Sequence, residues 1–95
     1  MKEIIYCEGD RNYSHVHFAR RPTLLLSSTL RILHQRLGEQ GFLRISRSAV
    51  VNLDYIVHYD GQEVILQNGL TLSIARRRRK QVAAILKPFF SFQLG

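Results

Sequence analysis

The chain has 95 residues, enough for one small domain with a thin core. Its hydrophobic content of 45% is ordinary for a globular protein, no apolar run approaches the length of a membrane span, and the single cysteine, Cys7, excludes a disulfide framework. The formal charge is +7, and eleven of the fourteen cations are Arg.

Met1–Ile5 is too short and too acidic to begin a signal peptide, so a reducing, cytoplasmic setting is expected. Residues 48–75 contain no Lys or Arg and three acids (Asp54, Asp60 and Glu63). All the cations therefore lie outside that stretch. Clustered Arg in a strongly basic chain is the electrostatic footprint of a polyanion binder.

Glu3–Glu8 reads as a strand around Ile4, Ile5 and Tyr6, followed by the turn cluster Gly9–Asn12. Cys7 on that strand is expected to be a small buried hydrophobe, not a nucleophile. Tyr13–Arg20 alternates, with Tyr13, His15, His17 and Ala19 on one face and Val16 and Phe18 on the other. Tyr13 suits a core position and an interface position equally. Arg21-Pro22 breaks the strand, and Thr23–Leu26 is its expected hairpin partner.

A helix follows, with Ser27 or Ser28 as expected N-cap and Leu30, Leu33 and Leu37 as its apolar stripe. Gly38 is a fitting stop. Phe42–Leu53 then sets Arg44, Ser46, Arg47 and Ser48 between the apolar anchors Phe42, Ile45, Val50, Val51 and Leu53. Such a segment can hold cationic forks and hydroxyls on a surface, where they suit phosphates and base edges. Asn52 is expected to satisfy backbone in a turn.

Three strands come next, Tyr55–His58, Glu63–Gln67 and Leu70–Ile74. Asp60-Gly61 and Asn68-Gly69 punctuate them, because Asp, Asn and Gly tolerate positive φ. A last helix is predicted from Arg76 to about Lys87, ending near Pro88. Val82, Ile85, Leu86 and Phe89 would form its apolar face, with Arg76, Lys80 and Lys87 as a ridge on the far side and Arg78 snorkelling beside the core. Five cations from Arg76 to Lys80 at a helix start oppose the macrodipole and repel one another. A bound phosphate would relieve both conflicts. The tail Phe89-Phe90-Ser91-Phe92 can pack back or meet a partner.

Four ordered segments resemble the LytTR-type DNA-binding domain of bacterial response regulators. They are Ile4–Tyr13, Ser28-Thr29-Leu30 with Leu33 and Leu37, Phe42–Ile56, and Leu70–Arg77. The resemblance covers residues 4 to about 87. It implies a mainly β fold of small stacked antiparallel sheets with one short helix and a C-terminal helix, in a single domain over residues 1–95. It also implies sequence-specific double-stranded DNA binding in transcription regulation, by loops entering successive major grooves, with pairing of copies on repeated half-sites.

Carried over by position, base contacts would fall to Tyr13, Arg47, Arg76 and Arg77. Backbone contacts would fall to Asn12, Arg44, Ser46, Ser48, Arg79 and Lys80. The sequence departs from the family at Ser46, where His is usual, and at Ala75, where Ser is common and would cap the last helix; Ser73 is the alternative cap. The family usually begins with one or two further strands before Ile4, so either those strands are absent here or the chain is a fragment. No enzymatic constellation, cofactor or metal site is expected. His15 and His17 share a face, but no carboxylate cluster completes a ligand set. A basic module for RNA or protein is the alternative from another class.

Overall fold

In the computed structural model, residues 3–38 and 40–90 are described. The elements run β1 (Ile4–Asp10), β2 (Tyr13–Phe18), β3 (Leu24–Leu26), α1 (Leu30–Leu37), β4 (Phe42–Ser46), β5 (Ala49–Asn52), β6 (Ile56–Tyr59), β7 (Glu63–Leu66), β8 (Thr71–Ser73) and α2 (Arg79–Leu86). One antiparallel sheet has the order β3-β2-β1-β5-β4, and a second has the order β6-β7-β8. The architecture is the mainly β arrangement with two helices that the resemblance implied.

The five-stranded sheet is apolar on both faces. Ile4, Cys7, Val16, Phe42 and Val50 pack with Leu30 and Leu33 of α1. Ile5, Tyr6, Leu43, Ile45, Ala49 and Val51 pack with Ile56, Val64, Leu66 and Ile74, and with Val82 and Leu86 of α2. The larger sheet thus lies between α1 on one side and the smaller sheet with α2 on the other. Strict alternation would put Ile5 and Tyr6 on opposite faces. A register shift between Ile4 and Tyr6 places both in the second core.

Side chains close several turns. Asp60 Oδ1 accepts from the amides of Gln62 and Glu63 at 2.9 Å each, and Gly61 follows at φ 96°. Asn68 Oδ1 accepts from Leu70 N at 3.0 Å. Buried Asn52 donates from Nδ2 to Ile4 O at 2.7 Å and accepts at Oδ1 from Asp54 N at 2.9 Å. It satisfies two backbone groups 48 and two residues away, so it is a turn and backbone-capping residue.

Three expectations need correction. The α1 cap is Thr29, whose hydroxyl accepts from Ile32 N; Ser28 instead offers its carbonyl to Ser14 Oγ at 2.7 Å. Ser73 does not cap α2, because it pairs with Glu63 inside β8. The last helix begins at Arg79, after a 3-10 turn over Arg76–Arg78, so a single helical wheel does not run through Arg76. Of its expected apolar face, Val82 and Leu86 are buried, whereas Ile85 and Phe89 are exposed, the latter at 74%. Lys87-Pro88-Phe89 forms another 3-10 turn and swings Phe89 off the core, while Phe90 meets Tyr59 edge-on at 6.2 Å. Ser91 and Phe92 lie outside the described residues.

Candidate nucleic-acid interface

Backbone pairing gathers the expected contact elements at one end of the larger sheet. The β1–β2 hairpin turns through Arg11-Asn12, because Asp10 pairs with Tyr13. The β4–β5 hairpin turns through Arg47-Ser48, because Ser46 pairs with Ala49. Strands β1 and β5 are neighbours, and Gly9 N donates to Ser48 O at 2.9 Å, so the two turns emerge side by side. Ala75 N donates to Ile45 O at 2.8 Å. That bond ties the start of the Arg76–Lys80 run to β4, two residues before Arg47.

The β4–β5 turn contains no glycine and is held by side chains. Arg44 donates from Nε to Ser46 O and from Nη2 to Arg47 O, both at 2.7 Å. Ser46 Oγ accepts from Ser48 N at 3.2 Å. The turn is therefore fixed from beneath, while Arg47 and Ser48 are exposed at its tip. A guanidinium carries five N–H donors, so Arg44 retains donors beyond these two bonds. Desolvation, and secondarily the charge of Arg78, holds its acidity constant below the usual Arg range.

Tyr13 is 49% exposed, which removes the core reading, and it lines a shallow groove with Asp10, Arg11 and Asn12. Arg11 sits at φ 60°, the left-handed region that two-residue hairpin turns normally give to Gly, Asn or Asp. Arg76, Arg77 and Lys80 are exposed, and Arg79 is half-buried with Nε donating to Ile74 O at 3.3 Å. Arg78 is half-buried. The start of α2 has no side-chain cap and no acid in its first turn, so the conflict between Arg79, Lys80 and the helix dipole stands.

A groove of about 450 Å³ brings Arg44, Arg47 and Ser48 together with Arg11 and Arg31. Sequence reasoning did not single out Arg11 or Arg31. Arg31 lies beside the cap of α1, and the apolar stripe of that helix already marked it as outward-facing. Among the described residues the ion pairs are His17–Glu8 and Arg21–Glu3, both at 3.2 Å, so none involves an arginine of this groove.

His17 is held by more than Glu8. Its Nδ1 lies 3.2 Å from Thr23 Oγ1, and its ring stacks on Tyr6 at 4.4 Å. Cys7 is fully buried, and burial pushes its thiol up to about 12, far from a reactive thiolate. No helix among the described residues is long and apolar enough to cross a membrane.

The family model of the LytTr DNA-binding domain matches residues 1–87. The chain belongs to the LytTr DNA-binding domain family. DNA is accordingly its class of partner. Among solved structures it is similar to the LytTr DNA-binding domain of a methyl-accepting/DNA response regulator from Bacillus cereus. Identity is 18% and the TM-score 0.79, over 90% of this chain and 82% of that one. At that identity the likeness concerns the fold. No curated protein sequence matches the chain.

Proposed function

We propose that this LytTr domain binds double-stranded DNA sequence-specifically in bacterial transcription regulation, as the non-enzymatic output domain of a two-component response regulator. Its turns enter successive major grooves, and copies pair on repeated half-sites. One observation carries the reading. The Arg11-Asn12 turn, the Arg47-Ser48 turn and the start of the Arg76–Lys80 run share one end of a sheet through direct backbone bonds.

Arg47 is the central base reader. It stands at the tip of a turn that Arg44 stiffens, and an Arg fork can bond guanine O6 and N7 together. Tyr13, Arg76 and Arg77 flank it as further base contacts. Asn12, Ser46, Ser48, Arg79 and Lys80 meet phosphates and fix the register, together with the donors that Arg44 has left.

Duplex binding titrated against salt tests the proposal. About five neutralised phosphates give a log–log slope near roughly −4 to −5. Arg47→Ala should lose about 1–3 kcal/mol of discrimination among duplexes. Lys80→Ala should weaken all duplexes alike and flatten the slope by about one. Equal losses on every sequence for both variants would remove Arg47 from base reading. RNA outcompeting duplex DNA would favour the basic-module alternative.

A further inference from the structure

Cations that no carboxylate answers collect where α1 meets β4. Arg31 and Arg44 line the groove that holds Arg47, and they also line a second groove together with Arg78 of the 3-10 turn and Gln81 of α2. No Asp or Glu lines either groove, and among the described residues no ion pair involves Arg31, Arg44 or Arg78. Arg44 and Arg78 feel each other's charge while Arg44 is partly desolvated. The inner wall is not available as a ligand through His34 Nε2, because that nitrogen donates to Phe42 O at 2.9 Å.

The charge of Arg78 opposes that of Arg44, Arg31 lines the same groove with no carboxylate beside it, and Arg44 keeps unspent donors. Nothing in the folding of α1 asks for a cation at position 31: the cap is Thr29, and the buried side chains are Leu30 and Leu33. A phosphate oxygen pair suits this arrangement, since it accepts from Arg forks and offsets their mutual repulsion.

We infer that Arg31, Arg44 and Arg78 together seat one backbone phosphate of bound DNA, so that a strand engaged at the Arg47 turn continues along the flank of α1. The inference rests on the proposed duplex binding and deepens it. It gives α1 a positioning role, with Arg31 setting the register of the duplex without reading sequence. Arg78, which pattern alone marked as structural, becomes a ligand.

The test compares wild type, Arg31→Ala, Arg31→Lys and Arg36→Ala in salt-titrated duplex binding, using a specific duplex and several scrambled ones. Arg36 lies on the same helix, five residues on and roughly 140° further round. Arg31→Ala should weaken every duplex by a similar factor and flatten the log–log slope by about 0.9. Arg31→Lys should keep the slope, because it keeps the charge. Arg36→Ala should leave slope and affinity close to wild type. Arg31 is exposed, so the variants should fold, which circular dichroism checks. If wild type shows no salt-dependent duplex binding, the functional reading itself fails. If wild type binds and Arg31→Ala keeps its slope, the seat is overturned. A loss from Arg36→Ala as large as that from Arg31→Ala would also overturn it, by reducing the effect to the general field. So would a change in the ranking of sequences, which would make Arg31 a reader.

Discussion

Arg44 Nη2 holds the carbonyl of Arg47 at 2.7 Å, so one arginine of the basic surface positions another. The same guanidinium reaches Ser46 O through Nε, so the two bonds hold consecutive carbonyls on the β4 side of the turn. The tip residue is thus preorganised by a planar fork that a single ammonium cannot reproduce.

Arg44→Lys should separate geometry from charge. The charge remains, so the salt slope of duplex binding should stay near wild type. Loss of the two charge-assisted bonds of half-buried Arg44 should lower stability by about 1–2 kcal/mol in urea unfolding. Discrimination between duplexes should fall with it, because Arg47 would sample more orientations. Full discrimination in a folded Arg44→Lys variant would show that the brace does not position Arg47.

Arg11 holds φ 60° at the tip of the β1–β2 hairpin, where a side chain is disfavoured. Arg11→Gly should relieve that strain and raise stability by roughly 1 kcal/mol. The same change removes a cation from the Arg47 groove, so duplex affinity should drop. Chemical denaturation and duplex titration on one sample should therefore move in opposite directions. Matching directions would argue against stored strain at an interface.

Ala75 starts the turn that leads into α2 with extended backbone, φ −56° and ψ 136°, and makes no side-chain cap bond. Arg78 N already donates to Ala75 O at 2.8 Å, so the hydroxyl of Ala75→Ser is offered to the amide of Arg77, the second residue of the 3-10 turn. The expected gain is about 0.5–1 kcal/mol, read as a higher urea midpoint at unchanged m-value. An unchanged midpoint would mean that the Arg77 amide is already satisfied by water.

Burial pushes the Cys7 thiol from an ordinary value of 9.0 up to about 12. Below about pH 9 the thiol is protonated in both folded and unfolded chains, and its contribution to stability is constant. Between about pH 9 and about 12 the unfolded chain ionises and the folded one does not. Stability is therefore lost as pH rises through that window. Urea midpoints from pH 8 upward should fall more steeply for wild type than for Cys7→Ala. Tyr6, also raised by burial and by Glu8, titrates in both proteins and cancels in the comparison. Rapid alkylation of the native thiol at pH 8 would contradict the burial.

Local chemistry was legible in the chain. Period-two alternation marked Tyr13–Arg20 and the Phe42–Leu53 stretch, Asp60-Gly61 and Asn68-Gly69 marked the later turns, and Gly38 at φ 95° closes α1 as its position foretold. Such features depend on neighbours within a few residues, and propensity reports on those. Helix limits were less legible. Thr29 outcompeted two serines as cap, and Arg76–Arg78 wound as a 3-10 turn, because the bond from Ala75 N to Ile45 O fixes where the chain leaves the sheet.

The sequence by itself determined the family resemblance, the excess of Arg and the residue types offered to DNA. Only the tertiary structure decided which of those residues stand together. The juxtaposition of Gly9 with Ser48, of Ile45 with Ala75, and of Arg31 with Arg44 and Arg78 comes from strand order and register. Those are set by which apolar faces bury one another across the whole chain, and no local window contains that information.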